Sequence, residues 1–421
     1  MMRRRAPASP SHTAVSLTIR ATRLLPVAAA IPGKTTNHSS GCDTTLTRTP
    51  SRAARPVETP TAAGNATVYT GTSTNNVSPS AAGYESSATR SLGRRALVTY
   101  TVAIAAALML ALFVPLEVAV YGVLLVGIGH LVFEVRYVLG HYAGILHGGF
   151  LVGVNLVLVV IVAGRLLWPG ANAQRLEMTL VFAMLAVAAV RWVPDLRARA
   201  ATVIALGLLA GFAFTHTDVW FVVQAHLHNL VPVLFLWGWS GVALRHRRHR
   251  RWFRALTLAW VLAIPALLLS GWFDGRLVDP TMSATWSTAA PAGVMGSIVP
   301  GSIAAGSAIA ARLLAVFAFA QLLHYVTWCW FLPRYGGPSE PGFVASPAGR
   351  WLHGWRVVVV VGSLMAVVLG LAYVDYRQGR TFYTALGAYH AYLEFPVLIA
   401  LLAGARPRYA TACEPVRGLA K

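Results

Sequence analysis

Val357-Val358-Val359-Val360-Val361-Gly362-Ser363-Leu364-Met365-Ala366-Val367-Val368-Leu369-Gly370-Leu371-Ala372-Tyr373-Val374 is an uncharged run of 18 residues that opens behind Trp355 and Arg356. As a helix rising 1.5 Å per residue it covers roughly 27–30 Å, the depth of a bilayer's hydrocarbon core. Working outward from it, apolar stretches recur from Ala96 to Gly404, nearly all of them long enough to span. The composition agrees: 56% hydrophobic residues, 12% charged residues and a mean hydropathy of +0.59 over 421 residues. One water-soluble core does not absorb that much apolar surface. Only helices and closed barrels satisfy their backbone in lipid, and the period-two alternation of barrel strands is missing.

The chain is therefore expected to be an all-α integral membrane protein with about ten transmembrane helices. The spans are predicted at residues 96–114, 116–138, 147–167, 176–193, 200–215, 218–243, 255–273, 305–332, 355–374 and 381–404. This divides the chain into an N-terminal segment, 1–95, a polytopic domain, 96–404, and a C-terminal tail, 405–421. The N-terminal segment is rich in Ser, Thr, Ala, Pro and Arg, has only Asp43, Glu58 and Glu85 as acids, and is expected to be disordered. A targeting segment and a start codon assigned too far upstream explain it equally well, because Leu24–Ile31 is too short to span.

The formal charge of +21 is almost entirely arginine, since Lys34 and Lys421 are the only lysines. These arginines sit in the tail and the loops, which reads as membrane topology rather than nucleic-acid binding. Arg245-His246-Arg247-Arg248-His249-Arg250-Arg251, between the sixth and seventh spans, is the strongest positive cluster and is expected on the cytoplasmic side. Arg90, Arg94, Arg95, Arg197, Arg199, Arg334, Arg356, Arg406 and Arg408 then share that side, giving an N-in, C-in topology. Arg175, Arg276, Arg377 and Arg380 fall outside, as does the loop from Asp274 to Ala304, a re-entrant lid or a flexible linker. The expected location is the inner, or plasma, membrane of a bacterial cell. Cys42, Cys329 and Cys413 are too scattered for a disulfide framework or a zinc motif.

Ionisable residues at bilayer depth cost roughly 2.5–3.5 kcal/mol each on insertion scales, so each is a candidate for function. The second span carries His130 and Glu134 with Tyr137 following, and the last carries His390 and Glu394. Both His–Glu pairs stand four apart and share a helix face, where imidazole and carboxylate can bind one metal or hold each other in place. Gln321, His324, Tyr325 and Trp328 form one stripe on the eighth span. His226 and His228 on the sixth, with Asn229 beside them, are two apart and so point about 200° from each other. A bend at Pro232 is the expected device for turning both inward. The second, sixth, eighth and tenth spans run in the same direction. The histidines fall roughly 12–28 Å below the outer surface, which fits one elongated site or two adjacent ones.

His130, His226, His228, His324, His390 and Glu394 are accordingly the expected metal ligands. Glu134, Tyr137, Asn229 and Tyr325 are the expected catalytic or substrate-orienting groups, with both glutamates ligands or partners that fix an imidazole. Iron, mononuclear or di-iron, is the cofactor this donor set suits, and haem b between two histidines is the alternative. His141, His147, His216, His246 and His249 are read as solvated or interfacial, Glu117 as snorkelling, and Trp237, Trp239, Trp272, Trp328, Trp330 and Trp351 as an interfacial belt. Arg312 is expected to reach the surface or pair with a carboxylate. No Walker loop, dinucleotide fingerprint, HExxH or HxxHH pattern occurs.

Gly127-Ile128-Gly129-His130 resembles the Gly-Ile-Pro-His opening of the Brp/Blh-type membrane carotene dioxygenases, and His324-Tyr325-Val326-Thr327-Trp328 is loosely similar in placing His and Trp on one stripe. The resemblance covers fewer than twenty residues, and Leu131, Val132, Phe133 and Glu134 stand where that family has Gly-Ala-x-Asp. It implies a histidine-bound iron in a helical bundle, with His130 the matched residue. Together these readings predict a membrane-embedded oxygenase or oxidase with a lipophilic substrate (fatty acyl, isoprenoid or carotenoid), an electron-transfer partner and no nucleic acid. A proton- or cation-coupled transporter using the same residues is the alternative from another class.

Overall fold

The computed structural model describes residues 79–277, 290–336, 343–344, 349 and 351–405, with side chains from residue 93 onward apart from 290–293. The predicted N-terminal segment up to residue 78, residues 278–289 and the C-terminal residues 406–421 lie outside the described residues. Among the described residues, ten helices are long and apolar enough to cross a bilayer, and no strand occurs. They are α1 (Pro79–Phe113), α2 (Pro115–His141), α3 (Gly148–Leu167), α4 (Ala171–Trp192), α5 (Leu196–Thr215), α6 (Thr217–Ala243), α7 (Arg247–Leu269), α8 (Ala308–Tyr335), α9 (Trp355–Val374) and α10 (Tyr376–Leu402).

Each helix falls on a predicted span, and α7 shows an instructive shift. It begins at Arg247 rather than at residue 255, so Arg247–Arg251 form its first turn instead of a loop. Hydropathy reads those arginines as a connection, but arginine is a good helix former and does not end a helix. α4 likewise starts at Ala171 rather than 176 and takes Glu177 well inside the helix. α1 extends back to Pro79, upstream of the apolar residues that announce it.

Burial sorts the helices into two groups. In α8 and α10, 61% of the apolar window is buried, and half of it in α2 and α4, whereas in α5 and α9 only 6% and 11% is. The second pair faces outward along most of its length, as expected of helices whose solvent is lipid. α10 packs against α2, α3, α4 and α9, and α8 against α1, α2, α6 and α7, so these two form the centre of the bundle.

Three helices contain a π-helical turn, a wider turn that accommodates one extra residue: Gly122–Val126 in α2, Ala259–Ala263 in α7 and Thr327–Phe331 in α8. The first brings backbone close to α8 and α10. A Cβ on Gly122 would lie 3.0 Å from Gln321 Nε2, and one on Gly127 would overlap the Tyr383 ring. At the ends of the even-numbered helices an aromatic layer closes the bundle. Trp328 meets Phe235 and Tyr137 at centroid distances of 5.0 and 5.6 Å, and Phe331 meets Tyr100 and Trp239, each at 5.0 Å. Trp239 and Trp328 are therefore packing residues, not members of an interfacial belt, whereas Trp272 and Trp351 are exposed. His141, read as solvated, is buried and stacked on Tyr137.

Part of the predicted outer loop is helical. Ala290–Ile298 forms a short cap helix whose Val294 and Ile298 are buried with Ala119 and Val120 of α2 and Ala310 and Leu314 of α8. Just before the undescribed residues, Asp274 receives Arg312 Nε at 2.8 Å and Nη2 at 2.5 Å, so Arg312 pairs with a carboxylate across the connection.

Candidate metal centre

Four helices each bring side chains to one point at the centre of the bundle. α2 supplies His130 and Glu134, α6 His228, α8 His324, and α10 His390 and Glu394. The i, i+4 spacing sets each His and Glu of α2 and α10 on one face, as the sequence predicts. His130, Glu134, His324, His390 and Glu394 are each at most 3% exposed. One donor atom from each of His130, Glu134, His324 and His390 lies within 4.8 Å of the other three, a grouping that can hold a metal ion.

The finer distances show how the atoms are aimed. His390 Nε2 lies 3.2 Å from His130 Nε2 and 3.0 Å from His228 Nε2. Glu134 Oε2 lies 3.2 Å from His324 Nε2 and 3.9 Å from His390 Nε2. Ligands bound at about 2.0–2.1 Å in tetrahedral or octahedral geometry stand about 3.0–3.4 Å apart, a spacing that the 3.0–3.2 Å contacts match and the 3.9 Å one exceeds. One nitrogen facing two others cannot satisfy both with a single proton. Neither oxygen of Glu134 or Glu394 and neither ring nitrogen of His324 meets a well-aligned hydrogen-bond partner. Buried polar atoms are normally paired, so this concentration of unmet acceptors is what a group that can hold a cation would show.

His228 takes a distinct position. Its Nε2 turns to the centre, while its Nδ1 lies 3.2 Å from Glu394 Oε2. Glu394 thus stands beside the Nδ1 edge of the imidazole, without an aligned hydrogen bond, and Glu134 faces the His324 and His390 nitrogens.

His226 is a correction. Its Nε2 lies 3.0 Å from the Ile298 carbonyl oxygen of the cap helix, and its ring packs edge-on against Phe317. The chain does break near Pro232, and the His228 carbonyl accepts from Val231 N at 3.1 Å. That break follows both histidines, which share the regular helix Thr217–Leu230, so the roughly 200° between them is unrelieved.

The expected catalytic residues are also dispersed. Tyr325 is close: its ring centroid lies 4.3 Å from that of His130, and its hydroxyl accepts from Gln321 Nε2 at 2.8 Å. Asn229 lines the cavity beside the centre while its Nδ2 donates to the Ala225 carbonyl at 3.1 Å. Tyr137 is not at the centre. It lies one turn further along α2, in the aromatic layer with His141 and Trp328.

The cavity reaches the centre from one end of the bundle. It encloses ≈ 380 Å³ and is lined by the first halves of α2, α6, α8 and α10, the turn between α3 and α4, and the cap helix. His130, His228 and His390 form its inner wall, with Phe221, Phe317 and Val123 along the sides. On the opposite side of the centre, Trp328 and Tyr137 close the path.

A second buried polar group on the cavity wall has no counterpart in the sequence reading. Arg165 donates to Glu177 through Nε at 2.7 Å and Nη2 at 2.5 Å, and through Nη1 to the Thr384 carbonyl at 2.9 Å. The Tyr392 hydroxyl also donates to Glu177. The available signal was an arginine and a glutamate at facing ends of consecutive apolar spans. Comparison with family models, with curated proteins and with solved structures finds no match for this chain.

Proposed function

We propose that this protein is a membrane-embedded, metal-dependent oxidoreductase of the non-haem iron type, acting on a lipophilic substrate. The observation that carries the reading is the convergence of imidazoles and carboxylates from four helices on one buried point at the end of a cavity. Nitrogen and oxygen donors without thiolate or thioether suit iron rather than copper(I) or an iron–sulfur cluster. The donor spacing favours one metal ion, because Glu394 supports His228 and leaves no second ligand set. When bound, iron would supply the redox chemistry that activates dioxygen.

The chain's own residues then have separate tasks. His130, His228, His324, His390 and Glu134 hold the metal, and Glu394 fixes the His228 ring so that Nε2 stays turned inward. Tyr325 presents its hydroxyl, already bonded to Gln321, beside His130. Phe221, Phe317 and Val123 exclude water from the approach.

Two alternatives are less well supported. Axial ligands of a haem stand about 4 Å apart across a macrocycle. Here the Nε2 contacts are 3.0 and 3.2 Å, and Glu134 and His324 crowd the region a porphyrin would need. A transporter needs a path beyond the centre, and the aromatic layer fills it. The positive-inside rule orients the bundle with both termini in the cytoplasm, so that the cavity opens outward.

Purified protein should contain iron at near-stoichiometric level, lose it in His390→Ala, and show no Soret band. Metal-free protein that moves protons in liposomes would overturn the proposal.

A further inference from the structure

At the outer part of the cavity wall stands Arg380, two turns above Gly387 on the face of α10 that also carries His390. It is half-buried, and among the described residues no carboxylate pairs with it, the cavity's other arginine, Arg165, being held by Glu177. An arginine removed from water needs an acceptor, and a cavity-lining one without a protein partner offers its fork to an anion. At the inner part, Gln321 is 3% exposed, lines the same cavity and leaves Oε1 without a partner. A cavity bounded by an unpaired cation and an unmet acceptor is one shaped for an occupant.

The distance between the two ends limits what that occupant can be. Ten residues separate Arg380 from His390, a rise of roughly 15 Å along a helix. An extended chain advances about 1.2 Å per bond, so about a dozen bonds link an anion at Arg380 to a carbon at the metal centre. The walls between are mixed, with Phe221, Phe317 and Ala388 as apolar surface and Gln224, Thr381 and Thr384 among the polar groups.

We infer that the cavity binds a single-chain carboxylic acid, with its carboxylate on Arg380 and its hydrocarbon chain directed at the His130–His228–His390 wall. This rests on the reading of the centre as an oxidoreductase site and narrows its substrate class from lipophiles in general to acids. Carotenes and other uncharged isoprenoids have no group for Arg380 to bind.

Equilibrium binding of radiolabelled laurate to the protein in lipid nanodiscs, against empty discs, tests the inference, with methyl laurate as the uncharged control. The expected result is saturable laurate binding that Arg380→Leu weakens about tenfold or more, that Arg380→Lys weakens less, and that methyl laurate does not share. Helical circular dichroism of both variants checks that they fold. Equal affinity for laurate and its ester, or wild-type affinity in folded Arg380→Leu, would overturn it. So would displacement of laurate by phosphatidylglycerol in the disc, because Arg380 would then serve a lipid phosphate. Chelator-stripped protein and His390→Ala should still bind laurate. Acid binding by wild-type protein that purifies without iron and takes up none when iron is added would defeat the oxidoreductase reading alone, and iron without acid binding would defeat this inference alone.

Discussion

Arg165 and Glu177 on one wall of the cavity, with Tyr392 behind them, and the imidazoles and carboxylates around His390 at its inner end, are both polar clusters within an apolar bundle. The first is completed by the chain's own groups. Glu177 receives two guanidinium hydrogen bonds and a phenol, and the remaining guanidinium donor finds the Thr384 carbonyl. The second is incomplete, with both carboxylates and both His324 nitrogens unmet by aligned partners. An ion pair in which each guanidinium nitrogen has an acceptor and the carboxylate is matched is a fixed joint between helices, here α3, α4 and α10. A buried cluster with its acceptors left over could take a cation, because burying unpaired polar groups costs several kcal/mol that a cation would offset.

The difference can be tested by breaking each cluster in turn. The largest effect is expected from Glu177→Ala, which strands the Arg165 guanidinium and should destabilise the fold by about 3–5 kcal/mol, a loss that added metal does not restore. Detergent-solubilised unfolding curves measure it, and a loss below about 1 kcal/mol would show that the pair is no joint. Next is the metal itself. Stripped protein should gain about 2.7 kcal/mol at a free iron concentration a hundred times Kd, read as a rise in the melting midpoint. No rise would mean that the second cluster is complete without a cation. Glu394→Gln should act more gently, lowering metal affinity about 10–100-fold by loosening the His228 ring while leaving the metal-free fold intact. A metal titration decides between that and a larger loss, which would place Glu394 among the ligands.

The smallest effect belongs to Asp274 and Arg312, a third pair, made like the first but close to solvent. The hydrogen bond from Arg312 holds the Asp274 carboxyl below the usual carboxylate range. Its stabilising contribution is therefore present above the pKa of the unfolded chain, and is lost as pH falls through the lower folded value. Acid unfolding below about pH 4 should accordingly begin slightly earlier in Asp274→Asn, and salt should blunt the difference.

The ten spans could be read from the sequence because lipid leaves little choice: a helix must be about twenty apolar residues long, and Val357–Val374 announces one directly. Most of the centre was readable as well, since His130–Glu134 and His390–Glu394 needed only helical spacing. His226 was not. Its assignment depended on where a proline break would act, and a break after Leu230 leaves two residues of one helix where the helix puts them. Arg165 and Glu177 were missed because each sits near a span end, where a charge is ordinarily explained by the interface. Only three-dimensional packing shows Tyr392 and Thr384 completing them. Trp239 and Trp328 were misplaced for the same reason, their chain positions resembling a belt when their rings face inward.

The π-helical turn at Gly122–Val126 sets the angular phase of α2. One residue more than an α-helical turn holds is accommodated there, so the half of the helix bearing His130 and Glu134 is rotated about 100° from where an unbroken α-helix would carry it. The first half can therefore face the cap helix and the second half the centre, each with its own stripe. Rewinding Gly122–Val126 as plain α-helix with every residue kept would turn both ligands away together, whereas removing one residue there would restore plain helix and leave them in their present phase. Two buried stripes on one rod are thus kept in their separate alignments by one wide turn.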